Sequence, residues 1–273
     1  MFWNVLLLEK DKIFKRSLFW IELALLTLLI VIIDLARFFI FRSFPQQLAA
    51  YMLKGSTWPD GLINAVQYAD AHAVGGFLLI ILIGTITAQE YSWRTMHMWL
   101  CHGIPRPALM GAKFVIMLLP ILLILLTSLI VSGGITGCIS LILDGSLHTN
   151  QLDIKELLLT FLETAYVLLP YVALTYMIAV TSRSVVITIS VSLAFVFLVE
   201  SNVYIALTLI GGNLGRAAQY LPIGLAKALS SQNGGLNPSL TPPTIVAIVG
   251  IAIYTLLFGG ITLWAFQRQS LAN

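Results

Sequence analysis

The sequence predicts an all-α integral membrane protein with six transmembrane helices, an amphipathic interfacial helix before them and short or re-entrant helices before the last span. Three observations carry this. Of 273 residues, 59% are hydrophobic and only 10% charged, where a soluble domain carries about 25% charged residues. Apolar runs of about twenty residues recur, each long enough to cross a hydrocarbon core of about 30 Å. The basic residues also sort between alternate connections, as the two sides of a membrane require.

The elements follow in order within a single transmembrane domain, 1–273. In residues 1–16, Trp3, Leu6, Leu7 and Phe14 fall near helical spacing, and Lys10, Lys12, Lys15 and Arg16 cluster near the end. That pattern predicts a helix lying in the inner interface with its cations against lipid phosphates. Its charges follow the apolar residues instead of preceding them, which is not the order of a cleavable signal. Spans are expected at 17–41, 71–89, 114–143, 157–181, 185–210 and 244–266. The third is longer than a bilayer requires and holds Pro120 and Gly133–Gly134, so a kink or tilt is expected there. Pro170 predicts a second kink, in the fourth span. Residues 90–113 form a polar connection, helical up to Gly103 and broken by Pro105 and Pro107. Residues 211–243 begin with a stretch too apolar for a free loop, expected to form short helices that dip into the outer leaflet or pack on the bundle.

With the N-terminus inside, the inner segments hold Lys10, Lys12, Lys15, Arg16, Arg94, Arg106, Lys113, Arg183 and Arg268. The outer segments hold the smaller set Arg37, Arg42, Lys54, Lys155, Arg216 and Lys227, although they are longer. Both termini are therefore expected in the cytoplasm.

Ionisable residues within a span are costly and are functional candidates by default. Glu22 lies near the inner end of the first span. Asp34 and Arg37 share a helix face near its outer end, where a local ion pair is the simplest expectation. Glu163 and Glu200 lie at similar depth in the outer halves of their spans. With Tyr166 they could line a path for a cation or cationic substrate, or they could hydrogen-bond neighbouring helices as neutral acids. An enzyme fits poorly. There is no His-Glu-x-x-His, no clustered aspartates and no Gly-x-x-x-x-Gly-Lys-Ser/Thr loop. The four histidines fall in loops or at span ends, and Cys101 and Cys138 have no metal-binding spacing. No catalytic residue, metal or nucleic-acid partner is expected.

The strongest signal is the connection from Glu90 to Lys113. It offers Trp93, Met96, Met98 and Trp99 with Arg94, Arg106 and Lys113, residue types enriched in protein contact surfaces. The tryptophans alone would also suit a helix lying on lipid. The order Glu90, Thr95, Leu100, Gly103-Ile-Pro-Arg106 and Lys113 at the start of a span resembles the permeases of type-2 ATP-binding-cassette (ABC) exporters. Arg94 departs from that pattern, since members often carry Gly before the Thr. The amphipathic first helix, the six spans and the apolar segment before the last also resemble that family.

The resemblance implies a cell-membrane permease, of bacterial type, that exports a lipophilic or amphipathic compound. A separate ATPase subunit in two copies would bind ATP and Mg, and a second copy of this chain would complete a homodimer. Glu90, Arg94, Thr95, Arg106 and Lys113 would couple to the ATPase, with Arg183 in the Ser182-Arg183-Ser184 loop as a second docking point. The alternative, from the intramembrane acids, is a self-contained proton- or cation-coupled secondary transporter using Glu163 and Glu200.

Overall fold

The computed structural model describes residues 2–42, 57–93, 95–101, 103–147, 152–230 and 242–269. Every regular element among them is helical: α1 (Phe2–Lys15), α2 (Ser17–Arg42), α3 (Asp60–Gln67), α4 (Val74–Ser92), α5 (Thr95–Cys101), α6 (Arg106–Ile116), α7 (Leu118–Asp144) and α8 (Ile154–Ser182). Then come α9 (Val185–Leu193), a π-helical stretch (Ala194–Glu200), α10 (Ser201–Ile210), α11 (Gly212–Ala218), α12 (Pro222–Leu229) and α13 (Thr244–Arg268). Six helical segments are long and apolar enough to cross a bilayer: Ser17–Ile40, Val74–Ser92, Arg106–Leu143, Ile154–Ser182, Val185–Ile210 and Thr244–Arg268. This is an all-α membrane protein.

Burial sorts these spans. The most apolar window of α4 is 72% buried, that of α13 only 11%. Helix α4 has consecutive core residues, Leu78, Leu79, Ile80, Leu82 and Ile83, and packs on α2, α7, α8 and α9. A helix apolar all round belongs in the middle of the bundle. Helix α13 exposes Ile245, Ile253, Leu256, Leu257 and Trp264, which suits contact with acyl chains.

Two span boundaries and one element differ from the sequence reading. The third span begins at Arg106, not at 114, because Pro105 and Pro107 open a helix instead of ending one. Ala108, Leu109, Met110 and Ala112 then continue it, and the break comes at Met117, three residues before Pro120. The second span begins at Val74, since residues 68–73 form a tight turn held by Gly75 N–H to Tyr68 O (2.7 Å) and Gly76 N–H to Asp70 O (3.1 Å). A Cβ at Gly76 would lie 2.4 Å from Ala71 O, so only glycine lets the turn fold back onto α4. The third difference is α3, an element not anticipated before the second span.

Helix α3 buries Leu62, Ala65 and Val66 against α7 and α8. Leu62 seats on Gly133, where an added Cβ would come within 2.6 Å of its Cδ2. In lipid, helices associate through close packing at small residues more than through the hydrophobic effect. The Gly133–Gly134 pair therefore serves as a seat, and α7 runs unbroken through it. Helix α8 is likewise continuous through Pro170.

Candidate functional site

The bundle carries polar machinery at two ends, called here the α1 end and the α12 end. At the α1 end, helix α1 packs on α6 through Val5, Glu9 and Ile13, which share one helix face and are all buried. Leu7 and Leu8 face outward. The buried stripe thus contains a carboxylate, and its partners come from three helices. Lys113 of α6 donates to Glu9 Oε1 at 2.9 Å and pairs with Glu90 of α4. Lys12 reaches Glu9 at 2.9 Å and Glu90 at 3.5 Å. Glu9, Glu90 and Lys113 are 3%, 1% and 3% exposed, so this is an interior two-by-two charge cluster. Burial alone would push the Glu9 carboxyl up, but Lys113 and Lys12 outweigh it and hold it below the usual carboxylate range.

The four cations of residues 10–16 therefore do not act alike. Lys15 is exposed and Lys10 half-buried. Lys12 turns into the cluster and lies 4.8 Å over the Trp99 ring. Arg16 donates to Gln89 Oε1 at 2.9 Å and lies 5.3 Å over Trp93. Among the residues expected to couple to a partner, Glu90 and Lys113 are sealed beneath α1 instead of facing outward. Thr95 Oγ1 donates to Glu90 O at 3.2 Å, joining α5 to the end of α4. Arg106 donates to Phe266 O (3.3 Å), Gln267 O (2.7 Å) and Gln269 O (3.2 Å), closing the C-terminal end of α13. Gln269 Nε2 in turn donates to Val180 O of α8 at 2.8 Å. Arg183 is exposed in a left-handed conformation (φ 53°) at the end of α8, 6.0 Å from the Tyr91 ring. Trp93 and Met98 are 62% and 53% exposed. Arg94 lies outside the described residues.

Two acids of the first span also find places. Asp34 does not pair with Arg37. It accepts from Tyr68 OH at 2.5 Å and from Ser132 Oγ at 2.7 Å, while Arg37 lies 5.3 Å over the Tyr68 ring. It is an interhelical staple joining α2, the 68–73 turn and α7. Glu22 is buried among Phe19, Leu23, Leu78, Leu82 and Ile124, with neither oxygen hydrogen-bonded.

At the α12 end, the π-helical turn brings Glu200 inward, to 3% exposure, in a span whose neighbouring residues Leu198 and Val199 face out. Its Oε1 accepts from Ile223 N–H at 2.6 Å and from Tyr171 OH at 3.1 Å. Pro222 opens α12 and has no N–H, so the Ile223 amide is the first free donor of that helix. A carboxylate there meets both the amide and the positive end of the helix dipole. His72 Nε2 stands 3.6 Å from Glu200 Oε2 and packs edge-on to Tyr171.

Beside this latch lies a cavity of about 490 Å³, lined among others by Asp70, His72, Thr160, Glu163, Thr164, Tyr204 and Lys227. Glu163 lines it; Glu200 and Tyr166 do not, and Tyr166 OH donates to Ile248 O at 2.8 Å, tying α8 to α13. Burial pushes the Asp70 carboxyl up, with the Ala71 amide, His72 and Lys227 opposing. The cavity lining was only partly readable in sequence. Asp70 lies just before the expected second span and His72 within it, and only the glycines after them signal the tight turn that brings both to the cavity. No protein-family model and no curated protein matches this chain.

Proposed function

We propose that the chain is the permease of an ABC exporter in the cell membrane, working as a homodimer with a separate ATPase that binds ATP and Mg. The α1 end would face the cytoplasm, and the cargo would be lipophilic or amphipathic. The chain itself would catalyse nothing. One observation supports this reading above others. Residues 90–113 bond to α1 through Glu90 and Lys113, and to the end of α13 through Arg106. Through Gln269 that contact continues to α8. A push on this segment is therefore passed to α1, α13 and α8 together. Rigid-body switching needs such a junction and no reactive side chain. In this reading the docking contacts are the exposed Trp93, Met98 and Arg183, while Glu90, Thr95, Arg106 and Lys113 transmit.

The test is purification from the native membrane in mild detergent, with mass-spectrometric identification of any co-eluting subunit. An ATPase bearing a phosphate-binding Walker loop is expected, and it should detach in Trp93→Glu and Arg183→Glu while their unfolding profiles stay at wild type. A wild-type chain that elutes with no such subunit refutes the reading.

The cavity lined by Glu163 favours a second reading, a secondary transporter driven by protons or cations, with Glu163 and not the latched Glu200 as its site. Transport by proteoliposomes of this chain alone, on a proton gradient and without ATP, would decide for it.

A further inference from the structure

The cavity at the α12 end has walls whose charges do not balance. Lys227 Nζ lies 4.2 Å over the Tyr204 ring, and its charge is offset by Asp70. Glu163 has no such offset. It is half-buried on α8, and no hydrogen bond or ion pair reaches it from any described residue. The nearest polar groups along its helix deepen the asymmetry. Thr160 Oγ1 donates to Glu156 O at 2.9 Å and Thr164 Oγ1 to Thr160 O at 2.8 Å. With both hydroxyl hydrogens committed to their own helix, what they present to the cavity is lone pairs. One wall therefore offers a carboxylate and two acceptors, and Val167 and Ile205 supply apolar surface.

We propose that this cavity binds a lipophilic organic cation, with the Glu163 carboxylate as its counter-ion and Thr160 and Thr164 accepting from its N–H groups. An anion or a neutral acceptor would meet only repulsion on this wall. The volume, about 490 Å³, lies within the roughly 300–1,000 Å³ of small-molecule sites. Glu200 is not a ligand: it does not line the cavity, and its Oε1 ties the start of α12 to Tyr171 of α8. The proposal deepens the exporter reading by naming a cargo class, and rests on that reading only for the direction of movement.

Binding is measured on the full chain alone in lipid nanodiscs, by fluorescence anisotropy of rhodamine 6G, a lipophilic cation with N–H donors. Saturable binding to the wild type is expected. Glu163→Gln should weaken it at least about tenfold, as loss of a partly buried charge partner does, and leave the neutral dye N-phenyl-1-naphthylamine unaffected. Glu156→Gln, exposed on the first turn of the same helix, should match the wild type. A second measurement needs no variant: rhodamine 6G should protect Glu163 from the apolar carbodiimide dicyclohexylcarbodiimide. Absence of saturable binding, unchanged affinity in Glu163→Gln, or labelling without protection each overturns the proposal. Because no ATPase is present, a failure here leaves the exporter reading standing, and a missing ATPase leaves the site standing.

Discussion

Replacing Lys113 by Met tests whether the buried charge cluster holds α1 to the bundle. Lys113 is the only member that touches both acids from the interior side, pairing with Glu9 at 2.9 Å and with Glu90. At that distance the raw attraction is about 6 kcal/mol per pair with an effective dielectric constant near 20. Desolvation of three nearly inaccessible groups cancels much of it. Removing the lysine, however, restores no hydration to the acids. Two carboxylates would remain inside with Lys12, itself 30% exposed, as their remaining partner in the cluster. Breaking a buried pair this way costs about 3–5 kcal/mol, whereas replacing the whole cluster by neutral groups of similar volume is often nearly neutral. Lys113→Met should therefore lose about 4 kcal/mol. The triple variant Glu9→Gln, Glu90→Gln, Lys113→Met should recover most of that loss. The assay is reversible unfolding by sodium dodecyl sulfate in mixed micelles, followed by tryptophan fluorescence. A single variant within about 1 kcal/mol of wild type, or a triple variant no better than the single, would refute the reasoning.

Two further outcomes are expected. Because Glu9 is held below its ordinary carboxylate value, the stabilisation it contributes is complete above that value and is lost as pH falls through the depressed one. Amide protection over residues 2–15, taken against the intrinsic exchange rate at each pH, should then fall under acid before protection in α4 does, and simultaneous loss in both would count against a local clamp. Glu200→Ala strands the Ile223 amide and the Tyr171 hydroxyl and should destabilise by about 3 kcal/mol, with exchange rising in 222–229; Glu200→Gln keeps an acceptor and should cost about 1 kcal/mol.

The six spans were legible because length and hydropathy are properties of each segment alone. What escaped depended on pairs of distant residues. Lys12 reads as a lipid-facing cation until Glu90, far along the chain, is seen beneath it. Asp34 and Arg37 share a helix face, which suggested an ion pair, yet Tyr68 and Ser132 offered Asp34 better-placed donors in the interior. Helix α3 had a readable signal, Asp60 in its first turn and Leu62, Ala65 and Val66 at helical spacing, obscured by the loop that contains it. In the cavity, Glu163 was visible as an intramembrane acid, but its separation from Glu200 was not. Similar depth in two spans says nothing about which way each side chain turns.

That turn is decided by the π-helical stretch Ala194–Glu200. A π turn amounts to one residue more than an α-helix would use over the same rise. Deleting a single residue within 194–200 would leave a segment still long and apolar enough to cross the bilayer. With the surplus residue gone, the stretch would close into an ordinary α-helix at about 100° per residue, and Tyr204 would keep its place under Lys227. A deletion in α9, which has no surplus residue, would instead turn everything beyond it by about 100° and carry Glu200 and Tyr204 away from α12. The π stretch is thus slack within the span: a change of length is absorbed there and is felt by the site everywhere else before it.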